Sequence, residues 1–209
     1  MIKKIIFISS LIIGNICNAQ INAITEKGEK VLLYKNGVWK YVNDSLNIKT
    51  QILKNDKLFV KDNNSTFLVK SSKTNIGIWI NPINWTFSKS NQNSASEYKF
   101  RNKNHDIFGM LVAEKTQIPL ESLVDIAFQN AFKVAPDAKI IKKEYRNVNG
   151  LNVIMMQLTG TIQGIKFIYY GYYYSNKIGS YQLLTYTSQN LFEENKIMMQ
   201  NLLNGLVEY

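Results

Sequence analysis

The stretch from Lys139 to Thr187 constrains this chain more than any other. It reads as four β-strands in series: Lys139–Val148, Leu151–Thr159, Ile165–Tyr174 and Ser180–Thr187. Asn149-Gly150 separates the first two, and an Asn-Gly pair between two β-prone runs is a strong hairpin signal, because a type I′ turn needs positive φ at both central residues. Gly160 to Gly164 is expected to turn the chain again, and Asn176–Gly179 closes the last pair. A parallel crossover needs a dozen or more residues, so strands joined by connections this short must be antiparallel neighbours. A sheet of this kind must be covered, and the flanking sequence supplies candidate covers.

The segment Pro119–Lys133 predicts a helix. Pro119 stands at the first helical position, where proline costs no hydrogen bond. Glu121 follows in the first turn, where the helix dipole favours it. Leu120, Leu123, Val124, Ala127, Phe128 and Ala131 recur at helical spacing. A second helix is predicted over Leu191–Val207, with Asn190 and Glu193 spaced as a capping box. Its apolar face is Phe192, Met199, Leu202, Leu203 and Leu206, and Gly205 inside it costs about 1 kcal/mol. Upstream, strands are expected at Thr66–Val69, Ile76–Ile80, Trp85–Phe87, Glu97–Phe100 and Ile107–Glu114. Pro82 marks the end of the second of these, since proline cannot donate to a ladder.

The N-terminus has the three regions of a secretory signal. Lys3 and Lys4 precede the apolar run Ile5–Ile13, and the small residues Cys17 and Ala19 suit a cut before Gln20. Residues 1–19 are therefore expected to be a signal peptide, and the protein to be exported, periplasmic or secreted. Gly14 and Ile16 match a lipoprotein site poorly. A cut after Ala19 removes the single cysteine, leaving no disulfide, thiol nucleophile or thiolate ligand. About 190 residues remain, enough for one domain with a core and a small appendage. The chain carries a formal charge of +10, or +8 without Lys3 and Lys4. That surplus suggests peripheral contact with an anionic membrane surface, although the lysines are scattered, as on an ordinary wet surface. Nothing resembles a nucleic-acid-binding motif.

Residues 20–43 read as a β-hairpin, Val31–Tyr34 and Val38–Val42 around Asn36-Gly37, with Trp39 and Tyr41 on one face. Its Gly28, Lys30, Val31, Leu33, Gly37, Trp39 and Tyr41 resemble a small G-x-K-V-x-L…G-x-W-x-Y module of exported bacterial proteins. Residues 44–65 are polar and are expected to be a linker with at most a short strand at Leu58–Val60. The main domain is expected over 66–209.

Residue types limit the chemistry. His105 is the only histidine and lies in a polar turn, so Ser/His/Asp and Cys/His triads lack material. Aspartate and glutamate total 15, with no spacing that assigns a pair to acid–base work. Gly160 and Gly164 lack the Lys-Ser/Thr of a phosphate loop. No cofactor and no metal site is expected. The run Tyr169-Tyr170-Gly171-Tyr172-Tyr173-Tyr174 is the most unusual feature. Alternation puts Tyr170, Tyr172 and Tyr174 on one face and Phe167, Tyr169 and Tyr173 on the other. Such a strand suits a central position packed between two layers; the functional alternative is an aromatic platform for a sugar, lipid or peptide.

The run Ile78-Trp79-Ile80-Asn81-Pro82-Ile83-Asn84-Trp85 resembles the apolar-x-apolar-x-Pro-x-x-Trp opening of PsbP-like (Mog/PsbP-type) domains. Gly164, Phe167, Tyr169, Gly179, Tyr181, Leu183 and Thr185 resemble the strand pair of the same superfamily, and Phe192 with the final helix occupies its closing element. The resemblance implies an α+β fold, an antiparallel sheet flanked by helices in an αβα arrangement. It also implies a mostly non-enzymatic role in binding or assembly. The expected function is an exported, non-catalytic envelope protein that binds a partner protein or an apolar ligand. Trp79, Trp85, Tyr170, Tyr172 and Tyr174, with Trp39 and Tyr41 of the hairpin, are the candidate binding surface. The alternatives are a carboxylate-dependent envelope hydrolase, for which two carboxylates should share a pocket, and a structural interaction module built on the Trp39 hairpin.

Overall fold

The structure is a computed structural model that describes residues 21–26, 30–33, 39–41, 52–91 and 94–209. The expected signal segment, the Asn36-Gly37 turn and residues 42–51 lie outside the described residues. The chain divides into two compact units, Met1–Ile48 and Lys49–Tyr209.

In the first unit three short strands form an antiparallel sheet: β1 (Ile21–Ile24), β2 (Lys30–Leu33) and β3 (Trp39–Tyr41). Strand β2 pairs antiparallel with β3, Leu33 opposite Trp39, inside the segment expected to be a hairpin, and β1 pairs on the other side of β2.

The second unit opens with β4 (Leu53–Phe59), β5 (Phe67–Lys70), β6 (Ile76–Ile80), β7 (Trp85–Lys89), β8 (Tyr98–Asn102) and β9 (Phe108–Glu114). After α1 (Leu120–Val134) come β10 (Lys139–Val148), β11 (Leu151–Ile162), β12 (Ile165–Ser175) and β13 (Ser180–Ser188). The chain closes with α2 (Phe192–Leu203) and β14 (Leu206–Glu208). Eight strands form one sheet in the order β4-β10-β11-β12-β13-β9-β8-β7, and β14-β6-β5 form a small second sheet. All pairings are antiparallel except β4 with β10. Beyond the two helices the fold is therefore α+β, as expected.

Two apolar layers sandwich the large sheet. Alternation along β11 sends Val153 and Met155 into one core, with Phe192, Met199, Leu202 and Leu203 of α2 and Ile76, Ile78 and Ile80 of the small sheet. It sends Ile154, Met156 and Leu158 into the other, with Leu123 and Val124 of α1. The helices thus cover opposite faces of one sheet, which is how two one-sided apolar helices and a pleated sheet bury their surfaces together.

Most element ends lie within one or two residues of the sequence reading, and four features depart from it further. The region read as a linker contains β4, which pairs parallel to β10 through Glu144↔Leu53 and Val148↔Phe59. Its polar composition suits an edge strand, most of which faces solvent, and conceals the pairing. Strand β11 runs on to Ile162 and turns at Gln163-Gly164, where φ is 51° and 81°, so Gly160 is a strand residue packed on Ala135 and Ala138. The capping box does not form: a 3-10 turn at Gln189–Leu191 leads into α2, and Leu191 caps it without a side-chain bond. Finally, α2 stops at Leu203, and Leu206–Glu208 pair with Ile76–Ile78 of β6. Glycine at position 205 permits that approach, because a Cβ there would collide with the Trp79 carbonyl.

Candidate functional site

Strand β12 brings the tyrosines to the middle of the sheet and not to the surface. Tyr170 is 2% exposed and Tyr172 fully buried, which corrects the expectation of an exposed platform. Their rings face α2, and a residue the sequence reading passed over explains why their polar tips are tolerated there. Arg146 of β10 is itself buried. Its Nη1 donates to the Tyr170 hydroxyl at 2.7 Å and the Tyr172 hydroxyl at 3.0 Å. Its Nε and Nη2 both reach Glu144 Oε1 at 2.6 Å, and its guanidinium carbon stands 4.3 Å from the Phe59 ring centre. The tyrosine hydroxyls pass the network on: Tyr170 donates to Gln200 Oε1 at 3.0 Å and Tyr172 to Asn204 Oδ1 at 2.8 Å. Lys142 Nζ, 2.9 Å from Oε2, and Asn55 Nδ2, 3.0 Å from Oε1, complete the shell of Glu144.

The electrostatics follow from this geometry. Burial opposes the charge on Arg146, but the oxygens of Tyr172 and Tyr170 outweigh it, and its pKa moves up. Burial also works to raise the Glu144 carboxyl, but bonds from Lys142, Asn55 and Arg146 overcome it and leave the group below its ordinary value. Burial pushes the Tyr172 hydroxyl up despite the arginine beside it. A buried charge is tolerated when its partners are complete, and here they come from β4, β10, β12 and α2. The hydrogen bonds of the cluster tie these elements together. A Glu and an Arg two apart on β10, on the same side as Val148, are the signal that could have revealed it.

The other sequence candidates are dispersed. Trp79 is half-buried, with Lys61 Nζ 5.3 Å from its ring centre. Tyr174 is half-buried, stacked on Tyr181 at 5.8 Å, and donates to Glu208 at 2.8 Å. Trp39 and Tyr41 lie in β3, but their side chains are outside the described residues. His105 sits in the expected turn, its amide bonded to Asn102 Oδ1 at 3.1 Å.

Trp85, 4% exposed, lies between two clefts. One, of about 120 Å³, is lined by Asp62, Asn64, Asn81, Asn84 and Asn201 over Met198 and Leu202. The other, more open and about 290 Å³, is apolar: Phe67, Ile80, Pro82, Thr86 and Phe87 share it with Trp85. Phe67 and Phe87 are 47% and 41% exposed and lie 5.6 Å apart. The first cleft holds one carboxylate, Asp62, and the second none, so neither presents the pair that two-carboxylate hydrolysis needs. Trp85 is the one predicted residue that lines either cleft. Phe67 and Phe87, which make the apolar one, were not singled out because exposed aromatics on short strands look like core residues in a sequence.

This architecture, an eight-stranded sheet between two helical layers with a small sheet closing one side, is a PsbP-like fold. The solution structure of the cyanobacterial PsbP protein CyanoP from Synechocystis shares it, with a TM-score of 0.51 and 14% identity over 68% of this chain and 92% of that one. A protein of unknown function from Pseudomonas aeruginosa aligns with a TM-score of 0.45 and 12% identity, over 68% of this chain and 96% of its own. A Bacteroides thetaiotaomicron protein aligns at 0.44 and 10%, over 69% of this chain and 49% of its own. No family model matches the sequence, and no curated protein matches it. Among the described residues no helix is long and apolar enough to cross a membrane, and no group of histidine, cysteine, aspartate and glutamate is placed to hold a metal ion.

Proposed function

We propose that this chain is an exported protein that works by binding, and that its partner is a polypeptide held at the apolar cleft between Phe67 and Phe87. The observation that carries this reading is the exposure of those two rings. They form a pair in contact with each other, beside a cleft floored by Ile80 and Trp85. Aromatic side chains left half in water around a concave apolar surface are what a protein-binding patch presents before its partner arrives. The buried charges support the same reading, since Arg146 and Glu144 are spent on structure and line neither cleft. Export rests on the tripartite pattern of residues 1–19.

The test is recovery of partners from the native envelope extract with the tagged mature protein, followed by mass spectrometry of proteins and lipids. A stoichiometric protein recovered by the wild type and lost with Phe67→Ser/Phe87→Ser supports the reading. Recovery of lipid alone, or of the same proteins by both forms, contradicts it. Both phenylalanines are close to half exposed and outside the two buried cores, so the double variant should keep its fold.

A further inference from the structure

The apolar cleft lies against the open edge of the large sheet, and the hydrogen-bond phase of that edge is fixed by its neighbours. The Ser90 amide donates to the Glu97 carbonyl, and the Lys103 amide to the Asn84 carbonyl, both at 2.9 Å. In an antiparallel ladder bonded pairs alternate, so Thr86 and Ser88 of β7 turn their backbone groups inward to Arg101 and Lys99 of β8. Phe87 and Lys89 therefore turn theirs outward. Strand β7 ends the sheet order, so these groups meet no other strand among the described residues.

Edge strands are normally blunted by charge, proline or a bulge. The opposite edge follows that rule, with Lys54, Asp56 and Lys57 along β4. Strand β7 does not: it has no proline, its register with β8 is unbroken, and its one charge, Lys89, is at the end.

The two faces of this edge differ in chemistry. Trp85 and Phe87 point to the apolar cleft. Strand alternation sets the Thr86 and Ser88 side chains on the other face, in line with the exposed Arg101 and Lys99. The Thr86 hydroxyl donates to the Arg101 carbonyl at 3.2 Å, and Thr86 also borders the cleft rim. Neither cation is in an ion pair among the described residues. Strands in a sheet lie about 4.8 Å apart, so an added strand would run about 10 Å from β8. Thr86 and Ser88 are short enough to leave the space between open to long side chains from both sides.

Building on the binding role proposed above, we infer that β7 accepts an extended segment of a partner polypeptide as a ninth strand, and that this segment alternates apolar with acidic residues. Its backbone bonds to Phe87 and Lys89, its apolar side chains enter the cleft at Phe67 and Phe87, and its carboxylates meet Lys99 and Arg101. Strand addition takes its affinity from the main chain and its specificity from alternate side chains, and the exposed cations choose the sign of charge.

The probes are fluorescein-labelled peptides alternating valine with glutamate or valine with lysine, titrated against the mature full chain by fluorescence anisotropy. The wild type should bind the glutamate peptide at least about tenfold tighter than the lysine peptide, and Lys99→Glu/Arg101→Glu should reverse that order. Lys89→Pro removes an outward N–H without touching the β8 ladder, a position where an edge strand tolerates proline, and should weaken the glutamate peptide by about tenfold or more. Equal binding of the two peptides, no binding, or undiminished binding by Lys89→Pro with an unchanged circular dichroism spectrum overturns the inference. So does a dimer in size-exclusion chromatography that Lys89→Pro dissociates, since the occupant is then a second copy. A native partner retained by Lys89→Pro but lost with Phe67→Ser/Phe87→Ser removes the added strand and leaves the binding role standing.

Discussion

The carbonyl of Gly205 accepts a hydrogen bond from the Trp79 amide at 2.8 Å, and the approach is so close that no β-carbon fits at position 205. This contact begins the pairing of the chain beyond α2 with β6, continued by Leu206–Glu208, and Tyr209 then donates to the Ser71 carbonyl at 3.0 Å. Gly205→Ala should therefore cost far more than the helix-propensity argument allows, in which alanine would be an improvement. The expected loss is about 3 kcal/mol, from a clash with backbone that cannot rotate away. Urea denaturation measures it, and hydrogen exchange should show faster exchange at Gly77 and Trp79. An unchanged or raised stability would mean that the helix continues through position 205.

Asn149 does two jobs that one substitution can separate. It occupies the left-handed region at φ 50°, followed by Gly150 at 88°, as the hairpin requires. Its side chain also reaches across the unit: Nδ2 donates to the carbonyls of Asn204 at 2.7 Å and Leu206 at 2.8 Å, and Oδ1 accepts from the Lys61 amide at 3.0 Å. Asn149→Gly keeps the turn and loses the clamp. It should destabilise by about 2 kcal/mol, since two carbonyls and an amide lose their partner. A loss under about 0.5 kcal/mol in thermal denaturation would mean that the turn is the whole role of Asn149.

That residue also shows where sequence reading stops. Asn149-Gly150 announced its turn because positive φ is a local demand that few residues meet. Its bonds to Asn204 and Leu206 span more than fifty positions and leave no local trace. The four-strand meander was legible for the same reason as the turn, since short connections permit only antiparallel neighbours. Strand β4 was legible only at its Leu58–Phe59 end, because the rest of this edge strand is polar, faces solvent and bonds to a distant β10. At the candidate site, the alternation along β12 correctly separated Tyr170 and Tyr172 from Tyr169 and Tyr173, but it could not say which face met solvent. Only Arg146, arriving from another strand, makes two buried hydroxyls acceptable. The unblunted edge at β7 was equally hidden, because strand order is a property of the assembled sheet.

Arg146 should be the most sensitive charged position in the protein. Removing one member of a buried pair strands the other. Arg146→Met leaves Glu144 with Lys142 and Asn55 and deprives Tyr170 and Tyr172 of their shared donor. The expected cost is about 3–5 kcal/mol. Adding Glu144→Gln to that variant should recover part of it, because the uncompensated carboxylate is gone. Guanidinium titrations of the three forms test this; a double variant no more stable than Arg146→Met would show that the tyrosine hydroxyls, and not Glu144, set the penalty.

Glu144 also gives the fold a direction of pH dependence. Its carboxyl titrates below the ordinary glutamate value in the folded protein, because bonds from Lys142, Asn55 and Arg146 outweigh burial. In the unfolded chain it returns to about 4.3. Just below that value the unfolded state binds the proton first, so the stabilisation is full above it and drains away as pH falls through the folded pKa. Asp137, held low by bonds from the Thr161 hydroxyl and amide, shifts the same way, so acid sensitivity alone does not identify the group. Glu144→Gln separates them. The variant should be less stable than the wild type at neutral pH, and the gap should narrow as pH falls below the ordinary glutamate value of about 4.3 and the wild-type carboxylate protonates. Melting temperatures across that range measure the gap; one that stays constant would mean that Glu144 does not carry its charge in the folded core.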